Sequence, residues 1–155
     1  MKIKSTFFDE IEFDEKDMIL LEKGLVGMPD LTRFVLMDFS DDSVLHWLQS
    51  VDEPNIGFIV SDPTIFDTGY TITIDPETKK DLKMEKDDEM VVMVIVSVKD
   101  KGEKVTGNLQ GPLVVNATRH VGCQMILDPD TYGYDTEVPL RQLKEEEESK
   151  VGVTA

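Results

Sequence analysis

The chain has 155 residues, 40% of them hydrophobic, and its 32 acidic against 16 basic side chains give a formal net charge of −16. This length suits one domain with a sizeable core, and the hydrophobic fraction argues against disorder. Because a field of this sign repels phosphate backbones, we expect no direct binding of nucleic acid; a basic protein partner, or solubility alone, fits the charge.

The N-terminal residues 1–13 lack the apolar stretch of a signal peptide, and the single cysteine, Cys123, cannot form an intrachain disulfide. The longest apolar run, residues 90–96, is far shorter than the roughly 20 residues that a membrane-spanning helix needs. We therefore expect a soluble, cytoplasmic protein that does not associate with a membrane.

Strand patterns dominate the chain. An N-terminal hairpin is predicted from residues 3–7 and 10–13, with Asp9 near its turn. The alternation of apolar residues and threonines over residues 70–74 predicts a half-buried strand. The nearly continuous β-branched run 90–98 predicts a strand buried on both faces or crossing a barrel interior. Shorter strands are predicted over residues 33–39, 45–49, 57–60, 113–116 and 123–127.

Helical signals are few. Residues 76–85 form the best candidate, with Asp75 as the N-cap and Pro76 at the first helical position, and residues 63–66 predict a single turn. Frequent Gly and Pro between short strands favour a mainly β fold: an antiparallel, β-barrel-like single domain with one or two short helices. We expect this domain to span residues 1–140 and residues 141–155 to form an acidic, flexible tail.

No catalytic or metal-binding arrangement is visible. Nucleophile elbows and phosphate-binding loops are absent, and neither His46 nor His120 has a second ligand at zinc spacing. Residues 128–133 open like a calcium loop but lack its bidentate glutamate. Cys123 is interpreted as a packing thiol rather than a reactive one. The sequence therefore predicts a protein that is not an enzyme and binds no cofactor or metal.

Residues 108–116 are the most informative stretch, because Pro112 removes a backbone donor and marks an edge, a bulge or a strand entry. We predict an open edge around residues 105–112 that could accept a partner strand. Leu109 is then either a core residue or an exposed apolar anchor. The candidate protein-binding residues are Val105, Asn108, Leu109, Gln110, Pro112, Met28, Asp87 and Asp88.

Several segments together resemble the flagellar assembly factor FliW family. Residues 23–30 are similar to its early Gly-Leu-Pro-Gly-Phe-Glu turn, although Val26 replaces the proline and Met28 the aromatic residue. Residues 108–112 with Asn116 resemble its Asn-Leu-x-x-Pro…Asn motif. The other matching segments are residues 47–50, residues 58–63, Tyr70 and residues 124–127.

The resemblance implies a non-catalytic regulator that binds flagellin and also CsrA, an RNA-binding translational repressor. On this interpretation, release from flagellin frees the protein to capture CsrA, and flagellin translation resumes. Two alternatives stay open: an acidic decoy that mimics nucleic acid and blocks a basic protein by charge, and a small-molecule hydrolase with a dispersed site. A deep pocket with convergent polar groups would favour the hydrolase.

Overall fold

The computed structural model describes residues 2–38, 45–99 and 104–139, and within them the chain forms eleven strands and one short α-helix. Three-residue 3-10 turns add Glu15–Asp17 and Pro63–Ile65. The elements are β1 (Lys2–Ser5), β2 (Asp9–Glu12), β3 (Ile19–Leu20), β4 (Arg33–Asp38), β5 (Leu45–Ser50), β6 (Gly57–Ser61), α1 (Pro76–Asp81), β7 (Met90–Lys99), β8 (Lys104–Gly107), β9 (Leu113–Asn116), β10 (Val121–Gln124) and β11 (Thr136–Pro139).

The main sheet closes on itself. Hydrogen-bonded neighbours follow the order β7-β6-β5-β4-β3-β10-β9, and β9 pairs again with β7. The pairings are antiparallel apart from β3 with β10, where Leu20 lies opposite Val121 in parallel. Strands β8 and β11 extend the sheet beyond β7. The predicted mainly β, barrel-like fold is confirmed.

Strand β7 closes the ring because it has two successive partners along one side. Its residues 90–93 pair with β9 and its residues 96–99 pair with β8. Strands β8 and β9 thus act as one interrupted partner strand. Residues 108–112, which we call the bulge loop, stand opposite only Val94 and Ile95, so their extra length must leave the sheet.

Side chains alternate between the two faces of this sheet. Phe34, Leu48, Val60, Met93 and Leu113 belong to one buried cluster, to which β3, β4, β5, β6, β7 and β9 all contribute. The opposite face of β7 and β9 is covered by Leu82, just after α1, and by residues 70–74. The middle of β7, at Met93 and Val94, is therefore buried on both faces, as its apolar run predicts, whereas Val91 near its start is 39% exposed.

The N-terminal hairpin is confirmed, with β1 slightly shorter than predicted and β2 of the predicted length but beginning one residue earlier. It lies on the barrel at Trp47, whose ring centroid is 4.8 Å from that of Phe7 and 5.5 Å from that of Phe8. The Ser5 hydroxyl donates to Gln49 Oε1 at 2.9 Å, and the Trp47 indole donates to the same oxygen at 3.0 Å. One buried amide thereby ties the hairpin to β5.

The predicted helix 76–85 is shorter in the structure. Helix α1 ends at Asp81, and the positive φ of Lys83, 52°, turns the chain away. The Asp75 cap is confirmed: its carboxylate accepts from the Thr78 N–H at 2.7 Å. No helix in the described residues is long and apolar enough to cross a membrane.

The predicted strand over residues 70–74 is wrong, although its alternation is real. Tyr70 is buried and Ile72 and Ile74 are half-buried, while the intervening threonines are exposed. The segment packs through these side chains, and the Thr71 N–H donates to the Tyr132 hydroxyl at 3.1 Å rather than to a neighbouring strand. Phe39 of the predicted strand 33–39 and the predicted tail 141–155 lie outside the described residues.

Candidate protein-interaction site

A tight turn over residues 24–29, the tip turn, presents an apolar side chain to solvent. The Leu25 N–H donates to the Met28 carbonyl at 3.2 Å, and the Met28 N–H donates to the Leu25 carbonyl at 2.8 Å. Gly24 at φ +65° and Gly27 at φ +86° provide conformations that other residues resist. Leu25 is buried in the core and holds the turn, while Val26 at its tip is 62% exposed.

The bulge loop has a well-paired backbone. The Gln110 N–H donates to the Gly133 carbonyl at 3.1 Å, and the Gln110 carbonyl accepts from Leu127 at 2.7 Å. The Pro112 carbonyl accepts from the Met125 N–H at 2.9 Å. The residues after β10 therefore continue the pairing along the loop. The Gln110 N–H and the Gln110 and Pro112 carbonyls are already hydrogen-bonded and are not available to a partner strand.

The predicted open edge at residues 105–112 is thus wrong. Strand β8 lies between β7 and β11, so both of its sides are hydrogen-bonded. Val105 is 0% exposed, Leu109 is 1% exposed, and Pro112 is also buried. Such side chains cannot meet a partner without unfolding. Asn108 and Gln110 are half-buried, and binding through them stays a prediction.

Of the two alternatives for Leu109, a core residue or an exposed anchor, the structure shows the core residue. Its side chain packs with Tyr70 and Val94, and its carbonyl accepts a hydrogen bond from the Tyr70 hydroxyl at 2.8 Å. Burial raises the pKa of this phenol to about 12, so it donates throughout the physiological pH range. The Leu of the motif at residues 108–112 therefore fixes the bulge loop from beneath.

Gln124 joins the bulge loop to the tip turn. Its Oε1 accepts from the Val26 N–H at 2.9 Å, and its Nε2 donates to the Gly111 carbonyl at 2.9 Å. A Cβ on Gly111 would lie 2.9 Å from that nitrogen, so the glycine allows the close approach. The Asn108 carboxamide accepts from the Gly111 N–H at 2.9 Å and shapes the same corner. Three segments of the family resemblance thus meet at one amide.

Beside Gln124 opens a cleft of about 410 Å³. Its walls are the tip turn, α1 with its cap, and residues 123–126. Val26 and Ile126 line it and are each 62% exposed, whereas Leu25 and Met125, which also line it, are buried. Met28, predicted as a partially exposed contact, is half-buried and packs against the core cluster.

The charges in the cleft are predominantly negative. Asp75, Glu77 and Asp81 line it together with one cation, Lys23. The Lys23 ammonium lies 2.9 Å from the Asp81 carboxylate and 3.7 Å from that of Glu77, and its hydrogen bond to Asp81 raises the lysine pKa. The Thr78 N–H lowers the pKa of Asp75. Three carboxylates against one ammonium leave a surplus of negative charge in the cleft.

The two acidic residues predicted to bind a partner, Asp87 and Asp88, differ in their exposure. Asp87 is exposed, but the Asp88 side chain is only 5% exposed. Its carboxylate accepts from Asn116 Nδ2 at 2.8 Å, from Arg119 Nε at 2.9 Å and from the Glu85 N–H at 2.9 Å. Asp88 is therefore a structural residue, because three donors leave little of it for a partner.

Sequence reasoning missed the two exposed large apolar residues of the cleft, Val26 and Ile126. It noted Val26 only as a departure from the family pattern and did not single out Ile126. An apolar residue at the tip of a Gly-flanked turn was the available signal for Val26. Ile126 gave none, because its distance from the tip turn in the sequence hides their proximity.

Among residues 2–38, 45–99 and 104–139, no group of three His, Cys, Asp or Glu side chains is placed to hold a metal ion. Cys123 is half-buried against Leu82, Val114 and Met125, and burial raises its pKa to about 11, which keeps it a thiol. The fold and this site define a small β-barrel protein with an apolar-rimmed, acidic surface cleft.

Comparison with known proteins supplies the family. The chain matches the family described as FliW protein over residues 2–140. It is 38% identical over 133 residues to the flagellar assembly factor FliW of Caldanaerobacter subterraneus subsp. tengcongensis, covering 85% of this chain and 89% of that protein. It is 34% identical over 159 residues to that of Magnetococcus marinus, covering 98% and 96%.

A solved structure agrees. A crystal structure of the flagellar assembly factor FliW superposes with a TM-score of 0.81 at 31% identity, covering 90% of this chain and 96% of the other. The chain belongs to the FliW family of flagellar assembly factors.

Proposed function

We propose that this protein is a non-catalytic flagellar assembly factor that binds flagellin and CsrA in alternation and relieves the repression of flagellin translation. Its membership of the FliW family, matched over residues 2–140, carries the proposal. The net charge of −16 supports it, since an RNA-binding regulator is basic and is attracted by such a field. This action takes place in the cytoplasm, where translation occurs.

The mechanism is partner exchange. When flagellin is scarce, the free protein captures CsrA and lowers its affinity for RNA. When flagellin accumulates, it takes the protein back. By thermodynamic linkage, any loss of CsrA affinity caused by flagellin must be matched by an equal loss of flagellin affinity caused by CsrA.

Calorimetric titration of the full chain with CsrA from the same organism tests the first step. We expect a complex at physiological salt and a weaker RNA affinity of CsrA within it. Added flagellin should then release CsrA. A stable ternary complex with unchanged affinities would contradict the exchange, and the absence of a CsrA complex would contradict the whole proposal.

The acidic decoy is the second candidate, and the net charge of −16 favours it. A decoy binds by charge alone. Moving single acidic residues to other surface positions, at constant net charge, should therefore leave its affinity unchanged, and moderate salt should abolish binding. Sensitivity to a few apolar side chains would instead support a shaped interface.

A further inference from the structure

We propose that the cleft between the tip turn, α1 and residues 123–126 is the docking site for a basic, apolar-tipped segment of the RNA-binding regulator. This inference rests on the proposed function and names the surface and the chemistry of its partner segment. It differs from the interface that the sequence predicts at residues 105–112, where Val105, Leu109 and Pro112 are buried.

The first observation is a pair of unpartnered apolar side chains. Val26 and Ile126 line the same cleft at 62% exposure each, which is high for β-branched side chains. Leu25 and Met125 also line the cleft and are buried, so an apolar side chain that enters it would meet apolar side chains already held in place. This is the arrangement in which an interface anchor is most effective.

The second observation is charge complementarity. The cleft carries the carboxylates of Asp75, Glu77 and Asp81, and its single ammonium, from Lys23, is already paired with two of them. A Lys or Arg next to the entering apolar side chain would meet this surplus of negative charge.

The third observation is rigidity. The Gln124 amide holds Val26 and Gly111 together, and the Asp75 cap fixes the start of α1. The cleft walls are therefore positioned before a partner arrives, which limits the entropy lost on docking. Gln124 is a positioning residue here, because it shapes the cleft through the tip turn.

Two sets of variants test the cleft against matched surfaces. Val26→Ser combined with Ile126→Ser should weaken CsrA binding about tenfold or more. Val98→Ser removes another exposed valine, 49% exposed, from β7 outside the cleft, and should leave the affinity unchanged. Glu77→Lys should weaken binding more than Glu12→Lys, which makes the same charge change on the N-terminal hairpin. Melting curves confirm that each variant folds.

Cys123 supplies an independent readout, because it lines the cleft and is the one cysteine of the chain. Its raised pKa makes alkylation slow, so the rate is followed by intact mass at mildly alkaline pH. CsrA should slow the alkylation in the parent protein and fail to do so in the Val26→Ser, Ile126→Ser variant at the same concentration.

The outcomes separate this inference from the proposed function. If the parent protein does not bind CsrA, the proposed function fails. If it binds CsrA while the cleft variants bind equally well and Cys123 is not protected, only the docking site is overturned. Loss of flagellin binding alone in the cleft variants would assign the cleft to flagellin and overturn it too, as would a concentration-dependent dimer that these variants dissolve.

Discussion

Leu109 is a core residue of the motif at residues 108–112, and its replacement should be felt as lost stability. It is 1% exposed against Tyr70 and Val94. Leu109→Ala should lower the free energy of unfolding by about 2–5 kcal/mol, because it removes buried apolar volume and leaves a cavity. Urea unfolding measures this.

Val98→Ala provides the control, since Val98 is 49% exposed and its truncation should change stability by no more than about 0.5 kcal/mol. A Leu109→Ala protein as stable as this control would contradict the core assignment. Any weaker binding of CsrA by Leu109→Ala must therefore be corrected for the fraction of unfolded protein.

Asp88 should give the protein a pH-dependent share of its stability. The hydrogen bond from Asn116, followed by that from the Glu85 N–H and the contact with Arg119, lowers its pKa in the folded state. The unfolded carboxyl titrates near about 3.9, so this stabilisation is present above that pH and is lost as the pH falls through the lower folded value.

Asp88→Asn should accordingly lower the melting temperature at neutral pH, and the gap to the parent should close as the pH falls below about 3.9. Asp87→Asn, on the neighbouring exposed residue, should match the parent at every pH. A gap for Asp88→Asn that is constant from neutral to acidic pH would show that its charge is not responsible.

At the scale of elements, the two glycines of the tip turn differ in how much space a side chain would have. Both have positive φ, but a Cβ on Gly24 would lie 2.4 Å from the Met28 carbonyl oxygen, while one on Gly27 would meet nothing within 4 Å. Gly27→Ala should cost only the conformational strain, about 1 kcal/mol. Gly24→Ala should cost more, because it adds a backbone clash.

Thermal melting of the two variants checks this order. An equal fall in melting temperature for the two variants would mean that the turn moves to relieve the clash. The conclusion that the tip turn is rigid would then be wrong. Because Val26 lies between the two glycines, Gly24→Ala should also weaken binding at the cleft more than Gly27→Ala does.

Much of the strand content was predictable from the sequence, because apolar periodicity is local. Strand β9 was predicted with its observed bounds, and the Asp75 cap was recognised from its Asp-Pro pair. Residues 70–74 show the limit: alternation reports which side chains are buried, and it does not report whether the backbone finds a neighbouring strand.

The candidate site was less predictable, since it depends on pairings between distant segments. The proline and glycines of residues 107–112 indicate irregular backbone, and the sequence alone could not show that residues 125–127 satisfy it. Val26 and Ile126 are also far apart in the sequence, so their shared cleft could not be foreseen. Gln124 was noticed only through the family resemblance, because the role of an amide between two loops has no local signature.

At the scale of the whole molecule, the net charge of −16 should govern how fast partners arrive. Raising the ionic strength from about 0.05 M to about 0.5 M shortens the screening length several-fold. The association rate with CsrA should fall steeply, while the dissociation rate, set by the apolar contacts, should change little. Stopped-flow or surface-plasmon kinetics separate the two rates. A steep rise in dissociation would favour the acidic decoy.

Ring closure also has a consequence for the order of events during synthesis. Strand β3 cannot complete its pairing until β10 has been synthesised, because Leu20 pairs with Val121, and most of the described chain lies between these two residues. Such non-local pairing folds late, and a nascent chain that has not yet released β10 cannot close the ring. The cleft has the same requirement, because one wall comes from residues 23–29 and another from residues 123–126.

A chain truncated after residue 116 should therefore be cleaved rapidly by protease and lack a cooperative unfolding transition, whereas the full chain should resist and unfold cooperatively. Protease resistance of the truncated chain equal to that of the full one would contradict this. Under the proposed function, a half-made copy offers no docking cleft, so only finished molecules would compete for the regulator, and the number of completed chains would set the capacity of the exchange.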